Sequence, residues 1–138
     1  MIDVQRTVKK EASLSGKGLH TGNQTTVTLK PADPNTGIRF IRTDVENCPV
    51  IPADIDNVVD NARDTTLGVD GVHIRQVEHI LAALYGMEID NVLIELDSNE
   101  PPVGDGSAMP MVELIRKAGI QEQDAPRDFI EIDETITF

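Results

Sequence analysis

The chain has 138 residues, of which 39% are apolar, a length and composition that suit one domain with a real core. Its formal net charge is −12 and only 3% of its residues are aromatic, which argues against general binding to nucleic acid or anionic lipid and removes stacking platforms for single strands. No run approaches the roughly 20 apolar residues of a membrane span, the charged N-terminus lacks the apolar stretch of a secretory signal, and the single cysteine excludes an internal disulfide.

In chain order, residues 6–14 read as a strand and the Gly-rich residues 15–22 as a turn. Residues 25–30 alternate, with Val27 and Leu29 on one face. After a Pro- and Asn-rich turn, residues 38–42 form another strand, and residues 50–59 are extended but interrupted by Pro52. Residues 65–67 and 72–75 flank the turn at Asp70-Gly71. Val77, Ile80, Leu81 and Leu84 then carry the i, i+3, i+4, i+7 stripe of an amphipathic helix, and Gly86 stands where a glycine would stop it. Val92, Ile94 and Leu96 alternate as a strand. A second helix carries Met111, Leu114, Ile115 and Ala118, with Pro110 in its first turn and Gly119 as its stop. Residues 121–127 read as a polar linker, after which Ile130, Ile132, Ile136 and Phe138 alternate with polar residues up to the last position.

The pattern predicts an α+β fold: a two-layer domain with a small mixed or antiparallel β-sheet packed against two main α-helices. Residues 1–126 form that domain, and 127–138 read as the start of a truncated second one.

Few side chains are candidates for chemistry. With about 100° per helical residue, Glu78 sits about 100° and His79 about 200° from Val77, both off the apolar stripe. A His beside a Glu, backed by Ala82 and Ala83, suits a metal ligand next to a general base presented to another domain. From spacing alone an ordinary solvent-facing pair is the plainer reading, and no second His stands at i+4. His20 lies in the Gly-rich turn, where the backbone can approach a ligand closely, although an exposed turn His is the plainer reading. His73 reads as a sheet-surface residue and Cys48 as an unpaired loop residue. Asp105 or Ser107 can cap the second helix, or hold an acidic site position.

Five segments occur in order: Ser15-Gly16-Lys17-Gly18-Leu19-His20-Thr21-Gly22, Arg63-Asp64-Thr65-Thr66-Leu67, Val77-Glu78-His79-Ile80-Leu81-Ala82-Ala83-Leu84, Ile89-Asp90-Asn91, and Glu100-Pro101-Pro102-Val103-Gly104-Asp105-Gly106-Ser107-Ala108. Together they resemble the UDP-3-O-acyl-N-acetylglucosamine deacetylases, zinc enzymes of lipid A biosynthesis in Gram-negative bacteria. The resemblance implies two similar domains with the active site between them, of which this chain is the first. It implies that Glu78 is the catalytic base, that His79 is a Zn2+ ligand, and that Leu19, His20 and Thr66 contact the substrate. The remaining ligands, a catalytic His, most of the positive charge for the substrate diphosphate and the acyl-chain passage would come from the missing C-terminal domain. Further expectations are an acylated UDP-sugar as substrate, a monomer, and a cytoplasmic location with peripheral contact to the inner membrane left open. Some relatives are fused to a dehydratase. The alternative is a non-catalytic α+β binding or interaction module that kept the family's sequence.

Overall fold

The computed structural model describes residues 3–138. Ten strands and two α-helices form three sheets around one core. In the central five-stranded sheet, β3 (Gln24–Pro31) lies between β2 (Ala12–Lys17) and β9 (Val92–Leu96), and β4 (Ile38–Arg42) lies between β9 and β5 (Val50–Pro52). The pairs are antiparallel except β4 with β9, which is parallel, so the sheet is mixed.

Alternation decides which side is buried. Val27 and Leu29 of β3 face the core together with Phe40 of β4 and Ile94 and Leu96 of β9. The register holds them side by side, with Leu29 and Phe40 both paired to Ile94. Over this face lie α1 (Glu78–Gly86) and α2 (Met109–Ala118), which bury Ile80 and Leu84, and Met111, Leu114 and Ile115. The two-layer α+β expectation is therefore met, with smaller sheets added at the edges.

A three-stranded antiparallel sheet of β6 (Val58–Asp60), β7 (Thr66–Val69) and β8 (Val72–Ile74) leads directly into α1. A two-stranded sheet joins β1 (Val4–Val8) to β10 (Ile120–Pro126). The second strand corrects the sequence reading, because residues 121–127 are not a linker. Polar side chains hide the strand: Asn91 Nδ2 donates to Gln123 Oε1 and Gln5 Oε1, both at 2.8 Å, and Gln123 Nε2 donates to the Ala32 carbonyl. At Gln123 hydrogen bonding stands in for apolar burial.

Other boundaries move for identifiable reasons. The expected strand over residues 6–14 breaks at Lys9 and Lys10, whose N–H groups donate to the carbonyls of Gly119 and Ala118 at the end of α2. Strand β2 runs on through Lys17, so the turn begins only at Gly18. Gly86 is the last residue of α1 rather than its stop. The left-handed residue is Glu88, at φ 55°, followed by buried Ile89. Gly119 ends α2 as expected, at φ 74°. Residues 127–138 form no strand, and Ile130, Ile132 and Ile136 are exposed.

Asn91 is 1% exposed, accepts from the Gly37 N–H at 2.8 Å, and ties the two-stranded sheet to the central one. Asn91→Leu removes these bonds and orphans buried amide groups, at a cost of about 1–3 kcal/mol for each group left unpaired. Urea unfolding of the chain should show a lower midpoint with an unchanged m-value; an unchanged midpoint contradicts this role.

Candidate active site

Three segments meet at one edge of the fold. The first is the loop after β2. The Gly18 N–H donates to the Asn23 carbonyl and the Gly22 N–H to that of Gly18, closing a tight loop that carries Leu19 and His20. Leu19 is 56% exposed. Glu100, from the loop after β9, holds this segment from beneath. Its carboxylate accepts from the N–H groups of His20 (3.0 Å) and Thr21 (2.8 Å) and from the Thr21 hydroxyl (2.6 Å). Its own carbonyl accepts from the Thr25 hydroxyl. Glu100 is wholly buried, and a Cβ at position 18 would collide with its carboxylate, so glycine is required there. Burial pushes the Glu100 carboxyl up, but the donors from Thr21 and His20 outweigh it and leave the pKa below the usual range.

The second segment leads into β7. Asp64, with 5% of its side chain exposed, lies 2.9 Å from His20 Nε2. Its carboxylate also accepts from the Thr66 hydroxyl at 2.8 Å and from Arg75 at 3.0 Å. Burial again raises its pKa, and Thr66, Arg75 and His20 more than reverse the shift.

The third segment is the start of α1. The Val77 N–H donates to the Thr65 carbonyl, and Glu78 Oε2 accepts from the Thr65 N–H at 3.1 Å. Glu78 stands in the first helical turn, where the helix dipole favours a negative charge. His79 lines a small pocket with Gln76, Pro101, Pro102, Ser107 and Met111. Glu78 and His79 are both half-buried, not solvent-facing. The helical wheel locates them off the stripe of α1 but carries no information about residues 101–111, which cover that flank. In the same pocket Gln76 has φ 56°, and its Oε1 is buried without a hydrogen-bond partner.

The structure thus gathers His20 and Thr66 around Asp64, with Leu19 beside them, and ties Glu78 to the same turn through Thr65. An open groove beside Thr66 is lined by Val59, Asp60, His73, Arg75 and Asn99. His73 is exposed, and Cys48 is exposed in its loop. Ser107 Oγ accepts from the Met109 N–H at the start of α2 and donates to Asp105, whose carboxylate bonds Ser107 rather than the helix. Among the described residues, no three His, Cys, Asp or Glu side chains group as a metal site. Zinc sites use three or four protein donors. His79 can furnish one of these, and the described residues do not complete the set.

The sequence matches the family model described as UDP-3-O-acyl N-acetylglycosamine deacetylase over residues 5–138. The chain belongs to that family. It is 55% identical over its whole length to the bifunctional enzyme LpxC/FabZ of Chlorobaculum tepidum, covering 30% of that protein. It is 50% identical over 133 residues to the UDP-3-O-acyl-N-acetylglucosamine deacetylase of Myxococcus xanthus, covering 96% of this chain and 42% of the relative. To the same enzyme of Haemophilus influenzae it is 48% identical, covering 96% of this chain and 44% of the relative. The chain therefore spans less than half the length of these family members.

Asp64 and Glu100 stand in the family-like segments, but neither stands out there by residue type or spacing. Each meets partners remote in the chain, up to 80 residues away for Glu100. The one local signal is at Glu100, an acid followed by Pro101, Pro102 and Gly104, a setting in which surface loops also place acids.

Folding lowers the pKa of both carboxyls. Their stabilisation is complete above the unfolded carboxylate pKa, about 4, and is lost as pH falls through the lower native values. Glu100→Gln should destabilise the chain by about 1–3 kcal/mol at pH 7. Thermal melts at stepped pH should show this deficit shrinking below the unfolded pKa; a deficit constant down to acid unfolding contradicts the charge-based role.

Proposed function

We propose that this chain is the N-terminal part of a zinc-dependent deacetylase that removes the N-acetyl group from UDP-3-O-acyl-N-acetylglucosamine in lipid A biosynthesis. The observation that carries the reading is Glu78 next to His79 at the start of α1, beside the turn that holds Thr66 and His20, in a chain of this family. Curated relatives carry that enzyme's name.

In this reading Glu78 acts as general base, taking a proton at its carboxylate from the attacking water. The Thr65 N–H keeps that carboxylate oriented. His79 holds one coordination position of zinc, which when bound supplies a Lewis acid and lowers the pKa of water. Adjacent positions on one helix keep base and ligand in a fixed relation, about 1.5 Å apart along the axis. Leu19, His20 and Thr66 contact the acylated UDP-sugar. The other ligands and most of the cationic groups for the diphosphate come from a second domain that begins after Pro126. Among the described residues no helix is long and apolar enough to cross a membrane. A monomer working in the cytoplasm, at most peripheral to the inner membrane, fits this reading.

In the full-length protein, Glu78→Gln should lower turnover by about 10²–10⁴-fold while zinc content measured by atomic absorption is kept. His79→Ala should lose the metal. Loss of metal in the first variant and retention in the second would reverse the assignment. A full-length protein with no deacetylase activity would favour a non-catalytic module.

The 138-residue chain by itself should not deacetylate and should bind zinc weakly, because one His is a poor site alone. Isothermal titration checks this. Submicromolar zinc binding that disappears in His79→Ala would show a complete ligand set within the chain.

A further inference from the structure

The geometry points to Asp64 as a positioning residue for substrate binding: its buried carboxylate sets where the His20 imidazole stands relative to Glu78. The inference rests on the reading of His20 as a substrate contact. His20 sits on a surface loop, and 29% of its side chain is exposed. An imidazole in such a place ordinarily samples several rotamers, and ordering it on binding costs free energy. Two acids remove that freedom here. Glu100 fixes the backbone through the His20 N–H at 3.0 Å, and Asp64 meets the ring at Nε2, 2.9 Å away.

Asp64 is itself immobilised. The Thr66 hydroxyl and Arg75 hydrogen-bond its two carboxylate oxygens, at 2.8 and 3.0 Å, and 5% of the side chain is exposed. The next residue, Thr65, donates its N–H to Glu78. The substrate-contact candidate and the candidate base are therefore referenced to two consecutive residues of one turn. Among the described residues no hydrogen bond engages His20 Nδ1, which leaves that ring nitrogen for a ligand. Arg75 Nη2 and His20 Nε2 meet the same carboxylate oxygen of Asp64, so the guanidinium charge is met locally rather than by the substrate alone. The role is one of preorganisation: Asp64 acts through His20, and zinc content in its variants checks that Glu78 and His79 keep their places.

The test is a double-mutant cycle in the full-length protein, with KM and kcat measured separately and zinc content as a control. His20→Ala and Asp64→Asn are each expected to raise KM by about tenfold, with kcat changed much less and zinc retained, and the double variant is expected to be no worse than the poorer single one. Asp64→Glu keeps the charge one methylene further out and should recover part of the lost KM. If Asp64→Asn fails to fold, the cycle is run with Asp64→Glu, where the same coupling to His20→Ala is expected. Additive losses, or an unchanged KM in the Asp64 variant beside an impaired His20→Ala, overturn the positioning role and leave His20 as a substrate contact. An unchanged His20→Ala overturns the substrate-contact reading as well.

Discussion

Glu100 is wholly buried, and a buried carboxylate is tolerated only where donors surround it. The donors it finds are the N–H groups of His20 and Thr21 and the Thr21 hydroxyl. Satisfying the acid therefore dictates the path of the loop after β2, and the close approach allows only glycine at position 18. A surface loop that would otherwise be held by its own two backbone bonds becomes part of the rigid structure. Asp64 repeats the logic from the other side, gathering Thr66, Arg75 and the His20 ring.

The mixed sheet and its two helices supply the frame in which these acids work. Strand β9, at the centre of the sheet, delivers Glu100 just beyond its end, and the start of β3 lies beside it through Thr25, whose hydroxyl donates to the Glu100 carbonyl. The small sheet β6–β7–β8 delivers Asp64 and Thr66, and β8 runs into α1 with Glu78 and His79. Three segments distant in sequence thus converge without long structureless connections. Hydrogen bonds and the Asp64–His20 contact link all three at one edge of the fold.

Apolar periodicity made much of this legible in the sequence. The stripes of both helices, with Leu81 only partly covered, and the alternation at Val27–Leu29 and Val92–Leu96 are buried as expected. Strand β10 escaped because Gln123, which bonds Asn91 and the Ala32 carbonyl, and the small Ala125 give no apolar alternation to read. The half-burial of His79 escaped because a helical wheel describes one element and not the Pro-rich segment folded over it. Asp64 and Glu100 escaped because their roles lie in contacts remote in the chain. Glu78, His79 and His20 stand out by residue type and spacing, Leu19 and Thr66 only by resemblance; the structure ties His20, Thr66 and Glu78 to one turn, and the chemical roles of all five rest on the proposal above.

Amide hydrogen exchange at Thr21 probes the central constraint most directly, since this residue lies in a surface loop outside every strand and helix. If the buried Glu100 carboxylate holds the loop, the Thr21 N–H exchanges slowly in the 138-residue chain, at a rate comparable to core amides of β3, and becomes fast in Glu100→Gln with the sheet still folded. Exchange at the rate of an unstructured peptide in the unaltered chain would show that the acid does not order the loop.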